Sequence, residues 1–160
     1  VVATPILLVC LLFRRTRLQS AFLLTLAWLL IACCFFGIVL GQKARHAGMQ
    51  AFTRRAQPLV TAIKAYERDH AAPPQTLADL VPKYIESIPT TGMMAYPEYE
   101  YHSGAEASER YAGNRWALSV ATPAGGFNFD MMLYFPDQNY PTRGYGGWLQ
   151  RIDDWAYVHE

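Results

Sequence analysis

Residues able to do chemistry are few in this chain and lie far apart. The four histidines, His46, His70, His102 and His159, are dispersed along the sequence. Only Asp69-His70 sets an imidazole beside a carboxylate, the minimum for general acid–base work. At the carboxyl end of a helix the same pair has a plainer use, because a histidine there complements the dipole and the last carbonyl oxygens. We adopt that plainer reading. The chain contains no HExxH, GxSxG, P-loop or paired-cysteine metal string. Its serines and threonines have no partner that spacing can place, although a site assembled in three dimensions leaves no local trace. The expectation is a non-enzymatic protein with no catalytic residue, no cofactor and no metal.

All three cysteines, Cys10, Cys33 and Cys34, fall in apolar stretches. The rest of the chain therefore has neither a disulfide framework nor a thiolate metal site. Cys33-Cys34 reads as a pair of small apolar helix residues. Aromatic density is the remaining signal. Tyr134, Phe135, Tyr140, Tyr145, Trp148, Trp155 and Tyr157 crowd the final third, interleaved with Gly144, Gly146 and Gly147. Half of them should be core and cross-strand partners. The stretch 136–147 is long for a hairpin loop, and exposed aromatic rings there suit a protein interface. Tyr140, Tyr145 and Trp148 are the interface candidates.

The element that must carry everything else is residues 21–41, AFLLTLAWLLIACCFFGIVLG, inside a stretch without a charge from Leu18 to Gln42. A helix rises about 1.5 Å per residue, so roughly 20 apolar residues cross a hydrocarbon core. Residues 1–13 are apolar but short for a span, and read as all or part of a first membrane helix. Residues 14–20, with Arg14, Arg15 and Arg17, form a basic loop. The positive-inside bias puts that loop in the cytoplasm and sends the second helix outward, with Lys43 and Arg45 working against the bias at its other end. The expected location is the inner (cytoplasmic) membrane with a periplasmic or extracytoplasmic head. Trp28, Phe35 and Phe36, with the small residues Ala27, Ala32 and Gly37, offer a surface for packing on other membrane helices.

Charge is unevenly distributed. Residues 1–42 are net +3, residues 43–70 net +4, and residues 71–160 net −6. An acidic head disfavours nucleic acid, whose binding rests on lysine and arginine neutralising phosphates. The basic neck is read as the solvated face of a helix, with anionic headgroups as the alternative contact.

Helical spacing continues past Gly41. Phe52, Ala56, Leu59, Ile63 and Tyr66 recur at intervals of four and three, one face of an amphipathic helix over 42–70. Gly48 is a weak point, and Pro58 should kink the helix by removing a donor and crowding the Arg54 carbonyl. Pro73-Pro74 ends it. Thr76 and Asp79 read as a capping box that opens a short helix with Leu77, Leu80 and Val81 inward. Beyond a turn at Pro89-Thr90-Thr91-Gly92 the period becomes two. Tyr99 and Tyr101 alternate with Glu100 and His102; Trp116, Leu118 and Val120 alternate with Ala117 and Ser119. The cleanest strand is 127–135, with every odd position apolar. A last hairpin joins 148–152 to 155–158 through Asp153-Asp154. The predicted class is α+β: a long helix covering the one buried face of a roughly four-stranded antiparallel sheet, with residues 71–160 forming the head.

The stretches LVTAIKAYERDH (59–70) and PQTLADLVPKYI (74–85), followed by Ile88-Pro89, resemble the heads of the type IV pilin and type II secretion pseudopilin family. The likeness covers roughly 45–102 and, more loosely, the strands that follow. It implies a pilin-like fold and a structural role in a membrane machine. Two family features are not found. Gly37 is followed by Ile38 rather than by the aromatic residue of a prepilin cleavage string, and no glutamate lies in the anchor, which argues against filament assembly. Some pseudopilins bind calcium late in the sheet; Asp137 with Asn139, or Asp153 with Asp154, would supply oxygens, but turn chemistry is the more common reason for such residues and is the reading adopted. The expected partners are the lipid bilayer and other membrane-protein subunits, with no nucleic acid. An accessory subunit of a multi-subunit complex is the first expectation. A pseudopilin-like component of a secretion or pilus machine, and a membrane-tethered enzyme or small-ligand binder, are the alternatives.

Overall fold

A computed structural model describes residues 16–123 and 129–159. The expected first membrane helix (1–13), Arg14, Arg15 and Cys10 lie outside them, as does Phe127. The chain divides into two compact units at Ala47/Gly48.

The described part of the first unit is helical. Helix α1, Arg17–His70, has 54 residues and begins inside the stretch expected to be a loop, so Arg17–Ser20 are already helical. Leu18, Phe22, Trp28, Leu30, Phe35 and Phe36 are all exposed along it. The helix is long and apolar enough to cross a membrane, and 6% of its most apolar 18-residue window is buried.

In the second unit α1 becomes a core element. Met49, Phe52, Ala56, Leu59 and Ile63 are buried at intervals of three and four, with Val60 and Ala62 beside them. The assignment passes through Gly48 and Pro58 without a break. Pro58 is on the exposed side, where water reaches the carbonyl its missing N–H would have served. The helix stops at Ala71, whose φ of 56° is left-handed. A 3-10 turn, Leu77–Leu80, follows. The Thr76 N–H donates to Asp79 Oδ2 at 2.8 Å, one half of the expected capping box. Leu80 is buried and Leu77 packs on the core, but Val81 is 39% exposed rather than inward. Its extended backbone as the cap residue turns it away.

The strands are β1 (Glu100–Ser103), β2 (Trp116–Ala121), β3 (Met131–Tyr134), β4 (Arg143–Gly144), β5 (Gly147–Ile152) and β6 (Trp155–His159), with a short helix α2 (Gly104–Arg110) after β1. They form one antiparallel sheet in the order β1-β2-β3-β6-β5-β4. Among the described residues the sheet thus has six strands rather than four, and helix α2 adds an element that the periodicity does not predict. The expected final hairpin is present, with Ile152 paired to Trp155 across Asp153-Asp154.

Both faces of the sheet are covered, where one was expected. Trp116, Leu118, Val120, Met132, Tyr134, Ile152 and Trp155 share a core with the α1 stripe. Its aromatic spine runs from Trp116 stacked on Tyr134 (5.5 Å) through Tyr134 to Trp155 (5.3 Å) and on to Phe52 (4.9 Å). On the opposite face, Ala117, Leu133, Phe135 and Val158 pack with Ala107 of α2 and Tyr111. Odd positions of β3 therefore serve this second cluster, while Met132 and Tyr134 serve the helix. A strand hydrogen-bonded on both sides and covered on both faces reads as continuously apolar, which hides its parity.

Candidate functional site

The β1–β2 register creates a polar site on the sheet face away from α1. Glu100 lies opposite Ser119, and His102 lies opposite Ala117. Alternation keeps Glu100 and His102 on the same side of β1, two residues apart. Ser119, 4% exposed, donates its hydroxyl proton to Glu100 Oε2 at 2.9 Å. His102 Nε2 is 3.1 Å from Ser119 Oγ. With the serine proton committed to Glu100, the remaining bond is His102 Nε2–H donating to Ser119 Oγ. This is the reverse of a nucleophilic triad, in which neutral Nε2 takes the serine proton. The arrangement holds the serine oxygen in place rather than activating it.

His102 packs its ring against Tyr111 at 4.8 Å. Burial, and secondarily the Arg110 charge, hold its pKa below the ordinary histidine value, while Glu100 and Glu106 oppose them. Ser119 and Glu100 open into a cleft of about 380 Å³ that also includes Asp130, Met131, Phe129 and Tyr96. Asp130 is 3% exposed, and its Oδ2 accepts the Tyr157 hydroxyl. Alternation of Glu100 with Tyr99 and of Ser119 with Leu118 is visible in the sequence. Their pairing is not, because it depends on a register joining residues 19 positions apart.

The Asp69-His70 pair does not form an acid–base couple. The His70 ring stacks on Tyr66 at 4.1 Å, and Nδ1–H donates to the Tyr66 carbonyl at 3.0 Å, so the side chain caps the helix end. Asp69 Oδ2 instead accepts the Tyr84 hydroxyl at 2.9 Å. That bond pulls the Asp69 pKa down against the opposing effect of desolvation, and the Arg68 and Lys83 charges add to the fall.

Two of the three interface candidates belong to the second core. Tyr140 stacks on Phe135 at 4.7 Å; its hydroxyl accepts the Phe135 N–H and donates to the Asp154 carbonyl, both at 2.8 Å. Burial raises its pKa well above the tyrosine range. Tyr145, half-buried, stacks on Tyr111 at 5.8 Å. Trp148 is 54% exposed, with the Arg143 guanidinium 5.1 Å from its ring. The membrane-helix candidates Ala27, Trp28, Ala32, Phe35, Phe36 and Gly37 are all exposed on α1, and a Cβ built on Gly37 meets no atom within 4 Å.

Two of the four residues considered for calcium have a side-chain oxygen engaged in a hydrogen bond. Asn139 Oδ1 accepts Asn114 Nδ2–H at 2.7 Å, and its amide donates to the Ala112 carbonyl. Asp153 Oδ2 accepts the Thr53 hydroxyl at 2.5 Å, tying the last hairpin to the helix. Among the described residues, no three histidine, cysteine or acidic side chains converge on a point that would hold a metal. No protein-family model, curated protein or solved structure matches this chain.

Proposed function

We propose that this chain is a non-enzymatic, membrane-anchored subunit with a pilin-like head, acting within a multi-subunit membrane complex. One observation carries the reading: α1 leaves Leu18, Phe22, Trp28, Leu30, Phe35 and Phe36 uncovered, then buries a regular stripe of the same helix under a sheet. Fully burying one such side chain is worth about 1.5–3 kcal/mol. A row of them left in water is therefore costly, and a bilayer removes the cost. Ala27, Ala32 and Gly37 let a neighbouring membrane helix approach α1 closely, with Trp28, Phe35 and Phe36 as its flanks. Arg14, Arg15 and Arg17, at the amino side of the apolar stretch, favour a cytoplasmic amino side, and on that orientation the head is periplasmic, outside the inner membrane.

A pseudopilin-like component of a secretion or pilus machine is the second reading. It is favoured by the order of long helix, proline pair, Leu77–Leu80 turn and antiparallel sheet. Purification in mild detergent through a carboxyl-terminal tag tests both. Stoichiometric membrane subunits that co-purify support an accessory role, and recognisable secretion-machine components support the second reading. A monodisperse single chain would defeat both. A periplasm-dependent reporter fused after residue 160 should be active; activity of a cytoplasm-dependent reporter there would reverse the orientation.

A further inference from the structure

The two ends of the sheet are finished differently. At one end β4 is two residues long and follows Pro141, which blunts the edge. At the other end β1 has four residues, and neither proline nor lysine interrupts it. Its hydrogen-bonding parity is fixed from both sides of β2. Thr122 N–H donates to the Asp130 carbonyl at 2.8 Å, so Leu118 and Val120 bond toward β3 and leave Ala117 and Ser119 to bond toward β1. Gly104 N–H, donating to the Arg115 carbonyl at 3.1 Å, gives the same parity. Glu100 and His102 therefore bond to β2, and the N–H and C=O of Tyr101 point out of the sheet. Among the described residues no backbone group takes either of them. The Ser103 N–H points the same way, while its carbonyl serves α2 as the N-cap.

Beside this edge lies a notch of about 360 Å³, lined chiefly by Leu77, Ile88, Pro89, Tyr99 and Glu98. The Thr91 N–H donates to the Pro97 carbonyl at 3.1 Å, which ties the two walls together at one end. Leu77 and Ile88 pack on the α1-facing core, so the notch belongs to that face. Tyr99 joins the two features, because it walls the notch and stands two residues before Tyr101.

A donor and an acceptor on one residue, facing outward together, match the N–H and C=O of an extended chain. An apolar recess two residues along suits the alternate side chain of the same strand. Glu100 is exposed on the opposite face, and Glu98 is exposed at the rim of the notch. With residues 71–160 at net −6, they oppose an acidic segment and favour a basic one.

We propose that the free edge of β1 takes up an extended segment of a partner protein, antiparallel, in which apolar and basic residues alternate. Its apolar side chains lie on the α1-facing side, one against Tyr101 and the next in the notch. Its basic side chains lie on the other face, one opposite Glu100. Residues directly opposite in an antiparallel pair share a face, so the backbone groups that reach Tyr101 belong to an apolar residue. The site goes beyond the anchoring reading and does not depend on it.

The test uses the full chain in neutral detergent, labelled with ¹⁵N-tyrosine, and a capped hexapeptide that alternates lysine with valine. In the free chain the Tyr101 amide should exchange quickly with solvent, and saturating peptide should slow it about tenfold or more. The Tyr134 amide, paired with Leu118 inside the sheet, reports that the fold is intact. N-methylating the valines should abolish binding, because it removes the N–H groups aimed at Tyr101; N-methylating the lysines should leave affinity within about twofold. Glutamate in place of lysine should weaken the peptide about tenfold, and Glu98→Lys in the protein about threefold. Glu98 is exposed and outside any strand, so that variant has no reason to misfold. A Tyr101 amide already protected without peptide would mean that the chain itself or a second copy holds the edge, and would overturn the proposal. So would a lack of saturable protection, undiminished binding of the valine-methylated peptide, or equal binding of the glutamate peptide.

Discussion

His102 is where a single side chain most directly ties this fold to its surroundings. Its folded pKa lies below the ordinary value of 6.5, because burial against Tyr111 and the Arg110 charge both disfavour the imidazolium. As pH falls through 6.5, the unfolded chain takes up the proton before the folded chain does. Stability therefore declines with falling pH, and the loss is complete once pH passes below the depressed folded pKa. We expect His102→Asn to flatten that slope, read from denaturant unfolding at a series of pH values; a slope equal to that of the parent chain would refute the assignment. Asn114 is the purely structural counterpart. Fully buried, it donates to the Tyr111 carbonyl and to Asn139 Oδ1, both at 2.7 Å, and accepts the Asp137 N–H at 3.0 Å. Asn114→Ala should cost ~2–4 kcal/mol, because it strands several buried polar groups at once. Chemical denaturation measures the cost, and a change below ~0.5 kcal/mol would mean that the network is not holding the loop.

At the scale of elements, the end of α1 carries a correctable flaw. Ala71 adopts a left-handed φ of 56°, which a β-carbon disfavours by roughly 1–2 kcal/mol. Ala71→Gly should raise stability by up to ~1 kcal/mol, after the extra entropy of glycine in the unfolded chain is deducted. A lower unfolding midpoint in the variant would contradict that account. The elements that periodicity could reveal were those with one wet face and one dry face. Phe52, Ala56, Leu59 and Ile63 announced the buried side of α1, and Trp155 with Asp153-Asp154 announced the last hairpin. Helix α2 escaped because GAEASER is seven residues long and buries only Ala107. Strand β4 is two residues long and has no pattern to detect. The alternation in β3 pointed odd residues toward the helix, whereas Leu133 and Phe135 pack on the other side and Met132 and Tyr134 meet α1. The polar cleft was hidden for a related reason: side-chain parity is local, but register is set by the whole sheet.

For the whole molecule, the uncovered α1 surface makes the most direct prediction. Cys33 and Cys34 are exposed along it. In a Cys10→Ser background, a membrane-impermeant maleimide should label neither thiol in intact membranes and both after solubilisation and denaturation. Rapid labelling in intact membranes would place that stretch in water and remove the basis for an anchor.

The position of β6 has a consequence for how the protein is made. It follows β5 in the chain, yet lies between β3 and β5, so the β4–β5 ribbon joins the other strands only through it. During synthesis the β3 edge stays open, and the aromatic spine lacks Trp155, until β6 emerges. An unpaired strand edge invites pairing with another chain. A ribosome stalled before Trp155 would thus release a sticky half-sheet, which proteolysis or aggregation would remove before it could reach any assembly.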